Sequence, residues 1–183
     1  LHPGAHLNAG VDAGIDQIAR SFDQIHAATE GYKVVTLLET AAGQGSCLGS
    51  TFDELARIIK LLDDRSRIGI CIDTCHVFAA GYEIRTREGY ETMVEEIAEH
   101  VGLENVGAIH LNDSKRTLGS RVDRHQHIGE GEIGLDAFRM LLNDSRFEGI
   151  PKLIETPKND DHSWDIRNLA TLRSLVAPAV QIV

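Results

Sequence analysis

Four runs decide how this chain folds: VVTLLE (Val34–Glu39), RIGICID (Arg67–Asp73), VGAIH (Val106–His110) and PKLIE (Pro151–Glu155). Each is short and apolar and reads as a buried strand. Each also ends on a side chain that can hold a metal: Glu39, Asp73, His110 and Glu155. Strands that each deliver one ligand at the C-terminal end, separated by helical crossovers, are how a (β/α) barrel builds a site on one rim.

The segments between these runs carry helical periodicity, so the chain reads as repeated βα units over a parallel sheet. A helix is expected from about Asp12 to Glu30, with Ile15, Ile18, Ala19, Phe22 and Ile25 on one face and Gly31 as its stop. The strand Lys33–Glu39 follows, then a helix in FDELARIIKLL opened by the capping-box pair Thr51 and Glu54. Next come the strand Ile68–Asp73, a helix over about Glu88–His100 and the strand Val106–His110. Residues Asp113–Ile133 form a long loop, Leu135–Leu142 a short helix, Pro151–Glu155 a strand and Trp164–Leu175 the closing helix.

The ligand-type ends recur at spacings of 34, 37 and 45 residues, consistent with βα units of ~30 or more. A further strand is expected to end near Leu1. That makes about five of the eight βα units of a TIM-type barrel, forming one domain over residues 1–183, the C-terminal part of the barrel, with N-terminal units missing.

Composition is that of an ordinary globular domain: 183 residues, 42% hydrophobic and 25% charged. No stretch is long and apolar enough to span a bilayer and none reads as a signal peptide, so no membrane partner and a cytoplasmic location are expected. Cys47, Cys71 and Cys75 form no CxxC pair and are expected to be reduced, buried thiols. The net charge of −10 argues only weakly against a nucleic-acid partner. Glu39, Asp73, Asp123 and Glu155 all contribute to it, and bound divalent ions would invert its sign locally.

Charged ends on runs this apolar must converge where something positive meets them. In CIDTCH, Asp73 and His76 stand three residues apart at the start of a turn. In RVDRHQH, Asp123 and His125 alternate, so in an extended segment both point the same way, a ready chelate for zinc or a similar ion. His127 continues that alternation and is assigned a supporting role; His2 is preferred over His6 because it lies at the presumed strand end. His26, His100 and His162 are expected to face solvent or cap helices. The long loop carries Lys115, Arg116, Arg121 and Arg124 beside the ligand rim, which suits a phosphate-containing substrate. The stretch AAGQGSCLGS after Glu39 is glycine-rich without matching a phosphate-loop pattern.

Taken in order, HPGAH, LLETAAGQG, CIDTCHVFAAGY, HLNDSK, GSRVDRHQHIGEG and GIPKLIETP resemble endonuclease IV, the metal-dependent apurinic/apyrimidinic (AP) endonuclease family of base-excision repair. The resemblance covers essentially the whole chain. It implies a TIM barrel with three zinc ions at its C-terminal rim. Glu39 would bridge two of them, with His2 on the first and Asp73, His110 and Glu155 on the second, while His76, Asp123 and His125 would hold the third. Glu39 and Glu155 are the implied catalytic carboxylates.

The implied reaction is hydrolysis of the phosphodiester 5′ to an abasic site in double-stranded DNA, leaving a 3′-hydroxyl and a 5′-deoxyribose phosphate, by a protein that is monomeric at full length. The family's first zinc has another histidine on an earlier strand, so in this chain the first site is incomplete. Two other readings compete. One is a metal-dependent sugar isomerase or epimerase of the xylose-isomerase-like type, which needs no third ion and so leaves His76, Asp123 and His125 without work. The other is an inactive DNA-binding fragment.

Overall fold

The computed structural model describes residues 1–178; residues 179–183 of the expected domain lie outside the described residues. In chain order the elements are β1 (Gly4–Ala5), α1 (Val11–Ala28), β2 (Thr36–Glu39), β3 (Cys47–Leu48), α2 (Phe52–Leu61), β4 (Ile68–Asp73), α3 (Thr74–Ala80), α4 (Arg87–His100), β5 (Val106–His110), β6 (Asp113–Ser114), β7 (His125–Gln126), α5 (Leu135–Leu142), β8 (Lys152–Leu153) and α6 (Ser163–Leu175).

The four expected strands form one parallel sheet in the order β2-β4-β5-β8, which is their order along the chain. Every residue of β4 is buried, as befits a central parallel strand covered on both faces. Leu38, Ile70, Ile72 and Ile109 meet Leu55, Ile58, Ile97 and Phe138 from the helices in one core. On the outside, α1 packs on α2, α2 on α4, α4 on α5 and α5 on α6.

No strand forms at Leu1, but its backbone makes both bonds of a parallel bridge. Its N–H donates to the Leu37 carbonyl (2.9 Å) and its carbonyl accepts from the Glu39 N–H (2.9 Å). The expected fifth strand end is present as that single residue, which sets His2 beside the end of β2.

Several boundaries differ from expectation for identifiable reasons. The strand expected from Lys33 starts at Thr36, because the Arg67 guanidinium takes the Val34 carbonyl (3.3 Å) and the Thr29 carbonyl (2.9 Å), tying the end of α1 down outside the ladder. Helix α1 ends at Ala28 instead of Glu30, and its buried face runs through His26, leaving Ile25 exposed. His26 is thus buried against Phe22, not solvent-facing. Cys47 is exposed, whereas Cys71 and Cys75 are buried as expected.

The turn expected at Asp73–His76 is the start of a helix, α3. The Asp73 carboxylate caps it by accepting the His76 N–H (3.0 Å). At α2, Thr51 Oγ1 accepts the Glu54 N–H (3.2 Å), but the Glu54 carboxylate turns to the N–H groups of Gly49 (2.8 Å) and Ser50 (3.0 Å). That is half a capping box, with its other half spent on the preceding loop.

The long loop after β5 is organised around a buried carboxylate. Asp113 accepts the N–H groups of Ser114 (2.8 Å), Gly129 (2.9 Å), Gly131 (3.1 Å) and Ile133 (3.0 Å) and has no exposed surface. A Cβ on Gly131 would lie 2.5 Å from Asp113 Oδ1, so only glycine lets the backbone come this close. The loop also contains the antiparallel pair β6·β7, which brings Asp123 and His125 back over the sheet end.

Candidate metal centre

The parallel register staggers the strand ends: Asp73 lies opposite His110, while Glu39 lies opposite Cys71. Glu155 stands two residues beyond the end of β8, where Asn112 Oδ1 accepts its N–H (2.7 Å). The four ends converge. Ligand atoms of Glu39, Asp73, His110 and Glu155 all lie within 4.8 Å of one another. His110 Nδ1 is 2.9 Å from Glu39 Oε1, 3.2 Å from Glu155 Oε2 and 3.8 Å from Asp73 Oδ2.

A second set of donors adjoins the first. His76 Nε2 lies 3.3 Å from Asp123 Oδ1, His125 Nε2 lies 3.4 Å from the same oxygen, and the two Nε2 atoms are 3.4 Å apart. The other nitrogen of each ring is engaged. His76 Nδ1 donates to the Thr40 carbonyl (2.8 Å) and His125 Nδ1 to the Glu155 carbonyl (3.1 Å). A backbone carbonyl accepts but cannot donate, so both rings are held in the tautomer that turns the Nε2 lone pair toward the cluster. That is the arrangement required of imidazole ligands, and the donor set of nitrogens and carboxylate oxygens suits zinc or a similar ion.

His2 joins from the edge, with Nε2 3.7 Å from Glu39 Oε2 and a side chain 53% exposed. Its ring meets that of His76 edge-on, with centroids 5.1 Å apart. His6 belongs to no such group among the described residues. All eight sequence-predicted donors (His2, Glu39, Asp73, His76, His110, Asp123, His125 and Glu155) therefore lie at one rim.

Four carboxylates and four imidazoles in so small a volume set a strongly negative potential. Burial opposes the charge on Glu39, but bonds from His110 and His2 outweigh it and hold its carboxyl well below the usual range. The imidazoles respond in the opposite sense. His110 is pushed up to about 11, by Cys71 first and then Glu39. His76 rises to about 9 because Asp123, Asp73 and Glu39 together overcome its burial. Without divalent ions, protons supply the positive charge; divalent ions would compete for the same lone pairs. Cys75 also lies against Asp123 and His125, but burial and the Asp73 charge push its thiol up to about 12, which keeps it protonated.

The basic residues are arranged differently. Lys115, Arg116, Arg121 and Arg124 are all exposed on the loop that carries Asp123 and His125, and among the described residues none of the four forms an ion pair. Arg121, at φ +54, donates its N–H to the Ala79 carbonyl (2.9 Å). Its Cγ would be 3.8 Å from a Cβ on Gly43 (φ +78), so the glycine-rich stretch serves here as a turn beside which Arg121 passes.

Residues that the sequence reading overlooked hold the donors in place. Thr40 Oγ1 accepts the Asp73 N–H (2.9 Å), and Asn112 Nδ2 donates to Asp73 Oδ2 (2.6 Å). On α6, the buried Asn168 accepts the Ile128 N–H (3.0 Å) and donates to Thr156 Oγ1 (2.9 Å) and His127 Nδ1 (3.1 Å). His127 is thereby tied to α6, with Trp164 edge-on to its ring at 5.0 Å. The available signal for Asn168 is a polar residue on the helix face it shares with Leu172 and Leu175.

Comparison with known proteins gives the family and the fold. The model of the xylose isomerase-like TIM barrel family matches residues 1–175. Proteins named probable endonuclease 4 are 53% identical over 178 residues in Chloroflexus aurantiacus and 51% over 176 residues in Geobacter sulfurreducens. These matches take in 97% and 96% of this chain but 62% and 60% of the relatives, so the chain spans about three fifths of their length.

The crystal structure of endonuclease IV from Thermus thermophilus superposes with a TM-score of 0.77 at 33% identity, covering 95% of this chain and 59% of that one. A D-tagatose 3-epimerase-like protein, at 22% identity, 96% and 60% coverage and a TM-score of 0.70, shares the fold. The chain belongs to the xylose isomerase-like TIM barrel family and, within it, is similar to proteins named endonuclease IV.

Proposed function

We propose that this chain carries the metal-holding rim of a DNA repair AP endonuclease, which hydrolyses the phosphodiester 5′ to an abasic site and leaves a 3′-hydroxyl and a 5′-deoxyribose phosphate. The observation that carries the reading is the trio His76, Asp123 and His125 beside the group Glu39, Asp73, His110 and Glu155, with the two trio imidazoles presenting Nε2. A sugar epimerase of the same fold needs one metal, and the trio would then have no work.

In this reading Asp73, His110 and Glu155 hold one zinc, the trio holds another, and Glu39 stands between the first group and His2. When bound, such ions supply Lewis acidity and lower the pKa of water toward neutrality. Glu39, whose carboxyl stays ionised, orients the attacking water, and Glu155 completes the catalytic pair from the opposite strand end. The exposed cations Lys115, Arg116, Arg121 and Arg124 take the phosphates that flank the lesion in double-stranded DNA. The protein acts as a monomer in the compartment that holds its DNA, the cytoplasm.

A 5′-labelled duplex with one abasic-site analogue tests the reading. Incision on the 5′ side is expected, with a 3′ end that a polymerase extends, abolished by EDTA and restored by zinc. Zinc-loaded protein that binds this duplex without cutting it would replace the nuclease by a DNA-binding fragment. Turnover of ketoses in a parallel assay would restore the epimerase.

A further inference from the structure

Asn112 follows the end of β5 by two residues and has no exposed surface. Its amide bridges residues from two other strand ends: Nδ2 donates to Asp73 Oδ2 (2.6 Å) and Oδ1 accepts the Glu155 N–H (2.7 Å). The orientation is forced. Flipping the amide would set an oxygen against a carboxylate and an NH2 against an N–H.

Thr74, the first residue of α3, secures the backbone beneath. Its Oγ1 accepts the Asn112 N–H (2.9 Å) and donates to the Asn112 carbonyl (2.7 Å). Asp73 and Glu155 lie on β4 and just beyond β8, with β5 between them. No ladder bond joins them directly; this fully buried side chain does, alongside His125, whose Nδ1 donates to the Glu155 carbonyl (3.1 Å) and whose Nε2 lies 3.7 Å from Asp73 Oδ2. An aspartate here would repel Asp73, and alanine would take one hydrogen-bond partner from the buried Asp73 carboxylate and one from the Glu155 N–H.

Building on the metal reading above, we infer that Asn112 is a positioning residue: its amide holds Asp73 and Glu155 at the spacing one metal requires, and Thr74 holds Asn112. It touches neither substrate nor ion.

The test uses the full 183-residue chain and titrates Zn2+ and Co2+ against a chromogenic chelator, with thermal melting of the metal-free protein beside it. Asn112→Ala is expected to weaken one ion by roughly ten- to a hundredfold, the range for groups that orient metal ligands, and to leave the ion at His76, Asp123 and His125 unchanged. Thr74→Val, nearly isosteric, is expected to weaken the same ion by a few-fold and carries the test if Asn112→Ala does not fold.

Tyr90→Phe, which removes a hydrogen bond to Asp144 (2.8 Å) and none to a rim donor, is the control; its melting temperature falls while both affinities stay. Unchanged affinity in both test variants, or a loss spread over every ion in step with melting temperature, overturns the inference alone. Wild-type protein that takes up neither ion overturns the metal reading and this inference with it.

Discussion

Asp73 and Asp113 are both fully buried aspartates, one ending β4 and the other opening the loop after β5, yet their surroundings differ in kind. Asp113 accepts four backbone N–H groups, and the loop from 113 to 133 is wrapped around it. Its charge is matched by peptide dipoles, and no cation is called for. Asp73 accepts the His76 N–H and the Asn112 amide, and beyond these it faces His110 and His125 at 3.8 and 3.7 Å with Glu39 and Glu155 nearby. Its charge is left for something positive to meet. The number of N–H donors around a buried carboxylate thus separates a charge satisfied within the fold from one left open to a cation, where burial alone does not.

Removing each carboxylate is the sharpest way to break this contrast. Asp113→Ala should cost the most, about 3 kcal/mol or more, because four N–H groups lose their acceptor inside the loop. Urea denaturation should give the same loss with and without EDTA; a loss that disappears in EDTA would make Asp113 part of the metal site.

Asp73→Ala should divide differently. The metal-free protein loses about 1 kcal/mol with the cap of α3, while affinity for one ion falls by more than about a hundredfold, or about 2.7 kcal/mol. Chelation should accordingly lower the melting temperature of the wild type by about 5 to 10 °C from metal held near 100 Kd, and that of Asp73→Ala by clearly less. Equal shifts in the two proteins would remove Asp73 from the donor set.

His2→Ala should change the affinity of either tightly held ion by less than about tenfold, since its side chain is 53% exposed and Glu39 is its one ion-pair partner among the described residues. Metal analysis should then count two firmly held ions per chain in both proteins. A third, retained through gel filtration by the wild type and lost with His2, would promote this edge to a complete site.

The donors were the legible part of the sequence, because strand length and apolarity leave little freedom over where Glu39, Asp73 and His110 end up. The alternation of Asp123 and His125 likewise survives folding as a shared direction toward His76. The supporting shell was not legible in the same way. Asn112 and Asn168 act across strands and from a helix, on partners 39 and 40 residues away, and nothing local to either residue encodes that distance. Asp113 depends on glycines 129 and 131, which read from sequence as a flexible loop and in the structure crowd a carboxylate. His26 shows the opposite failure. The helical pattern places Ile25 inward, but the actual phase of α1 buries the histidine in its stead.

A third carboxylate, on a partly buried residue, completes the comparison and supplies its smallest effect. Asp144 is matched by a cation from the protein itself, with Arg146 Nε at 2.9 Å and Nη2 at 2.7 Å, and it also accepts the Tyr90 hydroxyl at 2.8 Å. Burial pushes its pKa up, but the Arg146 bonds outweigh burial and hold the carboxyl below its usual value. A folded pKa below the unfolded value of about 3.9 contributes stability that is fully present above that value and is lost as pH falls through the folded one. Asp144→Asn should therefore be less stable than the wild type by about 1 kcal/mol at pH 7, with the gap closing below about pH 4. EDTA should leave this gap untouched, because Arg146 already fills the role that Asp73 leaves open. A gap that does not narrow at all as pH falls below about 4 would mean that packing and not charge holds Asp144, and the donor count around a carboxylate would then have to be read together with its fit.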